Sequence, residues 1–298
     1  MKSARVVWII IIAMMLISLG FFYYLSRSDQ GQIRISSNPW VGFTPFIYAQ
    51  EKGWLDKTPF RFMWLVDLSE NGRLYERGFT QGFTATQYEL LRFKEHSHIK
   101  PVFLIDRSAG ADAILSNRSL EALKISDEPI RVYLEMGSLN EDFFNAFIRE
   151  NGLDKTHFIL TNISQKSITE VKLSGEPVIL ISYAPYVSEL RAKGFVTVAS
   201  TQTMHSFFVI DALYMDERSI VGREEEYQNL KTIFDRALEN FYSDPKEYYE
   251  TVRGYLEGET YDEFMETTEQ IEWLNRSVDR SIMHQLEKQG ISTDRVLP

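Results

Sequence analysis

The stretch that most constrains the fold covers residues 33–53 and reads IRISSNPWVGFTPFIYAQEKG. Its β-branched start is typical of a strand. Pro45 suits the first position of a helix, and Gly53 suits the left-handed backbone conformation that ends one. A helix is therefore predicted between them, with Thr44 as its N-cap. Such a strand–loop–helix unit places a polar loop beside the electropositive end of a helix, where a small anion or polar ligand can bind.

Strand-like and helix-like segments alternate from this unit to about residue 214. Thr86 and Glu89 have the spacing of a capping box, and Pro185 starts a helix directly after a strand. Beyond this region the chain is helical and acidic to its end. The alternation predicts a mixed α/β fold, in which ligands bind where strands end and helices begin.

The N-terminus carries an uncharged apolar run, residues 6–25, long enough to cross a bilayer as one helix of roughly 20 residues. Lys2 and Arg5 precede it and favour an orientation with the rest of the chain outside the cytoplasm. A cleaved signal peptide is the alternative, although the aromatic end of the run is typical of an interfacial belt. We expect residues 1–32 to be a single-pass anchor and linker in the inner or cytoplasmic membrane. The remainder would lie in the periplasm or extracellular space.

The composition excludes several classes of function. A net charge of −10 argues against nucleic acid as a partner, because nucleic acid needs a basic surface. The absence of cysteine excludes disulfides, thiolate metal sites and cysteine nucleophiles. His96 and His98 have no obvious third metal ligand, and no G-x-S-x-G, phosphate-loop or H-E-x-x-H motif is present. We expect no enzymatic activity, no metal and no cofactor.

Three stretches carry a family resemblance. Residues 45–53 have the pattern P-x-x-x-A-x-x-x-G, residues 83–89 contain a threonine-and-glutamate turn, and residues 102–112 read VFLIDRSAGAD. Together they resemble the extracytoplasmic substrate-binding proteins of ABC importers, in the family that binds nitrate, taurine, alkanesulfonates and thiamine precursors. The third stretch, a strand followed by Asp-x-Ser-x-Gly-Ala-Asp, is the most specific. The resemblance covers residues 33–213, and the C-terminal helices match by type only.

The resemblance implies a two-lobed α/β fold of the periplasmic-binding-protein type II class, here with an N-terminal transmembrane helix and a helical C-terminus. Lobe one would comprise residues 33–117 and 203–298, and lobe two residues 118–202. The lobes would close by a hinge around a small polar or anionic solute of the sulfonate, nitrate or pyrimidine class. An ABC permease or a membrane sensor would recognise the closed form.

The polar corners of lobe one supply the first candidate ligand contacts. Ser37 and Asn38 would donate hydrogen bonds and Trp40 would form an aromatic wall, the alternative being an ordinary capping turn with a surface tryptophan. Thr84 and Thr86 would contribute hydroxyls, although Thr86 is also the expected helix cap.

The most specific motif adds a charge to this set. Arg107 could pair with a sulfonate, carboxylate or phosphate, or be a solvated loop residue. Ser108 is the better contact. Asp106 and Asp112 are expected to hold the loop and the crossover rather than to touch an anion.

Lobe two supplies the remaining candidate contacts. They are Gly137 and Ser138, whose backbone N–H groups open a helix, and Tyr183.

Two other functions stay open at this stage. One is a sensing domain that reports occupancy to a membrane partner without transport, and the other is a hydrolase or synthase that uses the same cleft. The sequence does not identify the solute.

Overall fold

The structure is a computed structural model that describes residues 31–65, 68–256, 258–275 and 278–297. The predicted anchor, residues 6–25, lies outside these ranges. Within them, no helix is both long enough and apolar enough to cross a membrane.

The described residues form two β-sheets. The first has the strand order β11-β4-β10-β3-β1-β2 and the second the order β7-β6-β8-β5-β9. In each sheet three neighbouring strands are parallel, and the strands beyond them pair antiparallel with their neighbours. The strands are β1 Ile33–Ser37, β2 Phe60–Trp64, β3 Gly82–Thr86, β4 Ile99–Ser108, β5 Asp112–Ser116, β6 Ile130–Leu134, β7 Phe158–Asn162, β8 Val178–Tyr183, β9 Val196–Ser200, β10 Ile210–Asp216 and β11 Ile271–Trp273.

Helices connect the strands and dominate the C-terminal region, which is helical as expected apart from β11. Short 3-10 turns occur at Val41–Phe43, Lys155–His157 and Arg253–Tyr255. The α-helices of the described ranges are α1 Thr44–Glu51, α2 Leu68–Glu76, α3 Gln87–Leu90, α4 Leu120–Lys124, α5 Leu139–Glu150, α6 Gln165–Thr169, α7 Tyr186–Ala192, α8 Glu217–Ile220, α9 Glu224–Ser243, α10 Pro245–Val252, α11 Tyr261–Glu269 and α12 Arg280–Lys288.

The two sheets define two lobes, which the chain joins twice. It passes from β4 to β5 through residues 109–111 and returns from β9 to β10 through residues 201–209. Strand β5 pairs with β8 and β9, so residues 112–116 lie in the second sheet, whereas the predicted boundary placed them in lobe one. The chain changes sheets earlier because Gly110, with a φ of +132°, bends it just before β5.

The starts of two helices test the interpretation of the polar turns. Thr86 caps α3 and the Glu89 side chain accepts a hydrogen bond from the Thr86 backbone N–H, so the predicted capping box is confirmed. The predicted Thr44 cap is wrong. Thr44 is the first residue of α1, and its hydroxyl donates instead to the Val41 carbonyl at 2.6 Å, because a 3-10 turn already leads into the helix.

Each lobe has its own hydrophobic core. In lobe one the rings of Phe46, Phe103 and Phe234 lie with centroids 5.0–5.9 Å apart. In lobe two Phe143 and Phe144 are fully buried on α5. Burying each such ring stabilises the fold by about 1.5–3 kcal/mol. Packing also crosses the seam, because the Phe207 ring stacks on Tyr88 of lobe one and on Phe143 of lobe two.

Candidate functional site

A small space, here called the inner chamber, lies between the lobes. Its volume is about 30 Å³, which is room for roughly two water molecules. Both lobes contribute to its walls. The lining residues are Asn38, Trp40, Phe43, Thr86, Val209 and Asp211 from lobe one, and Asp112, Leu139 and Tyr183 from lobe two.

A larger space, the outer chamber, adjoins the inner one and has a volume of about 410 Å³. Asn38, Trp40 and Tyr183 line both chambers. Most of the other walls of the outer chamber come from residues between 184 and 192 in lobe two and between 255 and 267 in the C-terminal region. A cavity of this size suits a small organic molecule.

Trp40 and Tyr183 form an aromatic contact between the lobes. Their ring centroids lie 6.2 Å apart with the planes at 87°, an edge-to-face arrangement. Trp40 stands in the turn after β1, and Tyr183 is the last residue of β8. Tyr186 continues the aromatic wall at 5.7 Å from Tyr183. The pair therefore marks the passage between the two chambers.

Asn38 is held in place from behind by a buried hydrogen-bond network. Asn71 Nδ2 donates to Asn38 Oδ1 at 3.0 Å and to the Thr84 carbonyl at 3.2 Å. The Ser37 and Thr84 hydroxyls are 2.8 Å apart. Ser37 and Thr84 thus contact each other behind the chamber and are not among its lining residues.

A row of polar side chains crosses the sheet of lobe one next to the chamber. Asp211 on β10 pairs in register with Thr86 on β3 and with Asp106 on β4. Both aspartates are at most 4% exposed. Among the described residues, neither Asp106 oxygen accepts a hydrogen bond of good geometry, but the Trp40 indole N–H and the Asp211 carboxyl face it and lower its pKa in part. The two carboxyls can therefore share a hydrogen bond only if one of them carries a proton.

Burial shifts the pKa values of this acidic group upward. It raises the pKa of Asp106 to about 8 and that of Asp112 to about 7. Burial also raises the pKa of Asp211 well above its usual range, and the negative charge of Asp106 adds to the effect. The shifts have a common cause, because water is excluded and, within the described ranges, no cation compensates for the lost hydration.

Gly42 allows the Asp106 carboxyl to occupy its position. A Cβ added at Gly42 would lie 1.8 Å from Asp106 Oδ2 and 3.0 Å from Trp40 Nε1. Both distances are too short for a side chain. The absence of one at Gly42 therefore brings the carboxyl and the indole together at the back of the chamber.

Glu89 connects the lobes at the floor of the inner chamber. Its Oε1 accepts a hydrogen bond of 2.8 Å from the backbone N–H of Leu139, the first residue of α5. Its Oε2 accepts from the Thr86 backbone N–H at 3.2 Å. Burial raises the Glu89 pKa, while hydrogen bonds from the Thr86 hydroxyl and the Leu139 backbone N–H lower it in part. The electropositive start of α5 is thus already occupied by a carboxyl of the protein.

Arg92 makes a second connection between the lobes. Its Nη2 donates to the Ser138 carbonyl and to Asp142 Oδ2, both at 2.6 Å. The Ser138 hydroxyl caps α5, and the Gly137 backbone N–H donates to Glu141 Oε2 at 3.2 Å. Gly137 and Ser138 therefore lie at the seam, with partners inside the protein, and neither lines a chamber.

Ser108 and Arg107 lie away from the chambers. The Ser108 hydroxyl is 2.7 Å from that of Thr201 and accepts from the Asp112 backbone N–H at 3.3 Å, so it ties the two crossovers together. Arg107 pairs with Glu272 on the edge strand at 2.9 Å, with both side chains about half exposed. Side chains alternate along β4, so Arg107 points away from the side that buries Asp106 and Ser108.

Of the predicted contacts, the structure brings four to the inner chamber, namely Asn38, Trp40, Thr86 and Tyr183. It adds residues that the sequence did not indicate as contacts. Asp112 was expected only to hold the crossover, and Asp211 was not considered. The available signal for Asp211 was a carboxylate inside the apolar run FFVIDALY. Among the described residues, no group of three or more His, Asp or Glu side chains is arranged to hold a metal ion.

No protein-family description and no curated protein sequence matches this chain. Solved structures do match. The periplasmic aliphatic sulphonate binding protein SsuA from Escherichia coli is 12% identical with a TM-score of 0.68, covering 87% of this chain and 90% of that one. The zinc-bound ligand binding component of an ABC-type import system from Staphylococcus aureus is 11% identical with a TM-score of 0.64, covering 88% and 92%.

A third match is the desulfurization enzyme DSZB, 13% identical with a TM-score of 0.63, covering 87% of this chain and 91% of that one. The fold is therefore that of the periplasmic binding proteins, and the predicted two-lobed α/β fold is confirmed. Binding proteins and an enzyme share it. The fold alone does not decide between these activities.

Proposed function

We propose that this chain is a solute-binding protein of an ABC-type importer, tethered to the membrane by residues 6–25 and facing the periplasm or extracellular space. It would capture a small polar solute between its lobes by hinge closure and present the closed form to a permease. The observation that carries the proposal is a chamber lined from both lobes, where Trp40 of one meets Tyr183 of the other.

Closure has an identifiable set of stabilising contacts. The Glu89 carboxyl bonds to the start of α5, and Arg92 bonds to Ser138 and Asp142 beside it. These contacts join lobe one to lobe two and would break when the lobes separate. A solute that contacts both lobes would add to them and shift the population towards the closed form.

The predicted sulfonate, nitrate and pyrimidine classes define the first screen. A thermal-shift assay on the full chain in detergent would include these solutes together with carboxylates and amines, because a ligand stabilises the folded state by RT ln(1 + [L]/Kd). We expect a dose-dependent shift that is lost in the variants Asn38→Ala and Tyr183→Ala, one from each lobe. A shift that survives both substitutions would contradict binding between the lobes.

The same screen separates the alternatives. Conversion of the stabilising compound into a chemically altered product would identify an enzyme. This alternative is included because the desulfurization enzyme DSZB shares the fold. Uptake of an unaltered, labelled compound by cells that carry the gene, lost on its deletion, would support import. Binding without uptake would support a sensor.

A further inference from the structure

The inner chamber has carboxyls in its walls and no compensating cation. Asp112 and Asp211 line it, and Asp106 pairs with Asp211 directly behind the wall. Among the described residues that line either chamber, none is lysine or arginine. Asp106 is fully buried, and the groups that face it among the described residues, the Trp40 indole and the Asp211 carboxyl, carry no positive charge. A buried carboxylate is costly unless a partner neutralises it, and the groups that the described residues place beside these carboxyls are neutral or acidic.

From this arrangement we infer that the solute carries a protonated primary amine, whose ammonium group enters the inner chamber and donates hydrogen bonds to Asp112 and Asp211. The inference rests on the proposed function, since it names the solute class of that same site. It departs from the polar or anionic solute of the sulfonate, nitrate or pyrimidine class that the sequence led us to expect.

The hydrogen-bonding capacity of the chamber suits an ammonium group. Such a group has three donors and no acceptor. Asp112 and Asp211 supply acceptors from opposite lobes, and Asn38 Oδ1 retains a lone pair beyond its bond to Asn71. A sulfonate or nitrate offers only acceptors, so once these carboxyls are ionised it would meet repulsion instead of attraction across a region of low dielectric.

The size and the aromatic walls point to the same class. A volume of about 30 Å³ holds a compact head group such as a primary ammonium. It does not hold a trimethylammonium group, whose three methyl groups make it larger. The rings of Trp40 and Tyr183 at the entrance can attract a cation through their faces. The remainder of the solute would lie in the outer chamber, whose volume is about 410 Å³.

The test uses compounds that share one alkyl chain and differ in head group. Calorimetric titration of the full chain at pH 8 would compare n-butylamine with 1-butanol and 1-butanesulfonate, and would include putrescine, benzylamine, choline and calcium chloride. We expect at least one primary amine to bind. The matching alcohol should bind roughly tenfold to hundredfold more weakly, as expected for the loss of charged hydrogen bonds.

Variants locate the binding and control for folding. Asp211→Asn and Asp112→Asn keep the side-chain shape and remove the charge, so each should weaken amine binding by roughly tenfold or more. Asp216→Asn is the matched control, because Asp216 lies at the other end of β10 and pairs with Arg218 at 2.8 Å. Amine affinity should be unchanged in this control.

Amine affinity should also depend on pH. The carboxyls that face one another here are Asp106 on β4, Asp112 on β5, Asp211 on β10 and Glu89 on α3, with the Tyr214 hydroxyl near Asp211 and Glu89. With pKa values of about 8 and 7 for Asp106 and Asp112, affinity should rise from pH 6 to pH 8 as they ionise, while the amine stays charged.

The outcomes separate this inference from the proposed function. Binding of 1-butanesulfonate without any amine, or of choline or calcium alone, would overturn the amine inference and leave a solute-binding protein. Amine binding that persists in both aspartate variants would overturn the assigned position. If no compound of this set or of the broader screen binds, both proposals fail.

Discussion

The two lobes treat the polar groups at their facing edges differently. At the end of β8, lobe two satisfies its buried polar side chains, since the Ser182 hydroxyl donates to Gln165 Oε1 at 2.8 Å and Gln165 Nε2 donates to Glu135 at 3.3 Å. The exception in this lobe is the neutral amide of Asn140 on α5, which is buried and has no hydrogen-bond partner among the described residues. In lobe one the buried Asp106 carboxyl and the Trp40 indole N–H face each other, but in the described part of the chain neither makes a hydrogen bond of good geometry.

This difference suggests a division of labour between the lobes. A satisfied network stabilises its lobe, whereas unsatisfied buried groups reduce stability and are typical of a site prepared for something that binds there. Lobe one would then hold the recognition chemistry. Lobe two would act as a lid that contributes Tyr183, Asp112 and the start of α5.

The largest expected effect is the pH dependence of the ligand-free protein. Asp106 and Asp112 have folded-state pKa values of about 8 and 7, above the value near 4 of an unfolded chain. The folded state therefore binds more protons, and its stability is highest at low pH and is lost as pH rises through these values. The free energy of unfolding should fall by roughly 6 kcal/mol between pH 5 and pH 8, because each group that stays protonated in the folded state contributes about 1.4 kcal/mol per pH unit.

Urea titrations across this range would measure that fall. Asp106→Asn should make the profile flatter, because asparagine does not titrate. If the free energy of unfolding of the wild type rises with pH, or if the variant has the same profile as the wild type, the buried carboxyl of lobe one does not determine the pH dependence.

The next largest effect concerns lobe two. Gln165→Leu should lower the free energy of unfolding by about 2 kcal/mol, because it leaves the buried Ser182 hydroxyl without its acceptor. The double variant Gln165→Leu/Ser182→Ala should recover part of this loss, which a double-mutant cycle would quantify. Strict additivity would show that the network is not a coupled unit.

Arg92→Ala should have a smaller effect, of about 1 kcal/mol or less on stability, because its ion pair with Asp142 is partly exposed. The same change should weaken binding of any solute that needs the closed form. Arg73→Ala is a suitable control, since Arg73 pairs with Glu70 within α2 of lobe one. Equal effects of the two substitutions on solute affinity would argue against a role for Arg92 in closure.

The smallest effect is expected at Arg107. Its exposed ion pair with Glu272 lies outside both chambers, so Arg107→Ala should change stability by less than about 0.5 kcal/mol and leave solute binding unaltered. Calorimetric titration of the variant would check this. A selective loss of anion binding would restore the arginine to the site and weaken the case for an ammonium group.

The sequence predicted the parts of this site that depend on local chemistry. The capping box of Thr86 and Glu89 and the position of Asn38 and Trp40 after a strand follow from residue type and spacing. The charge of the site could not be predicted in this way. Asp112 and Asp211 are about a hundred residues apart, and only the packing of two sheets brings them to one chamber.

Arg107 shows the opposite limitation. It lies between two residues that are buried at the crossover, and sequence proximity favoured it as a contact. Strand alternation places its side chain on the other face, where Glu272 of β11 meets it. The direction of a side chain within an irregular strand end is not fixed by the residue types around it.

The central claim is that the two lobes close around a solute. Its most direct test is the distance between spin labels at Lys57→Cys in lobe one and Lys124→Cys in lobe two, both exposed, in a chain with no other cysteine. We predict a broad distribution without solute and one narrow distance with the compound that binds most tightly. An identical distribution in both conditions would contradict closure.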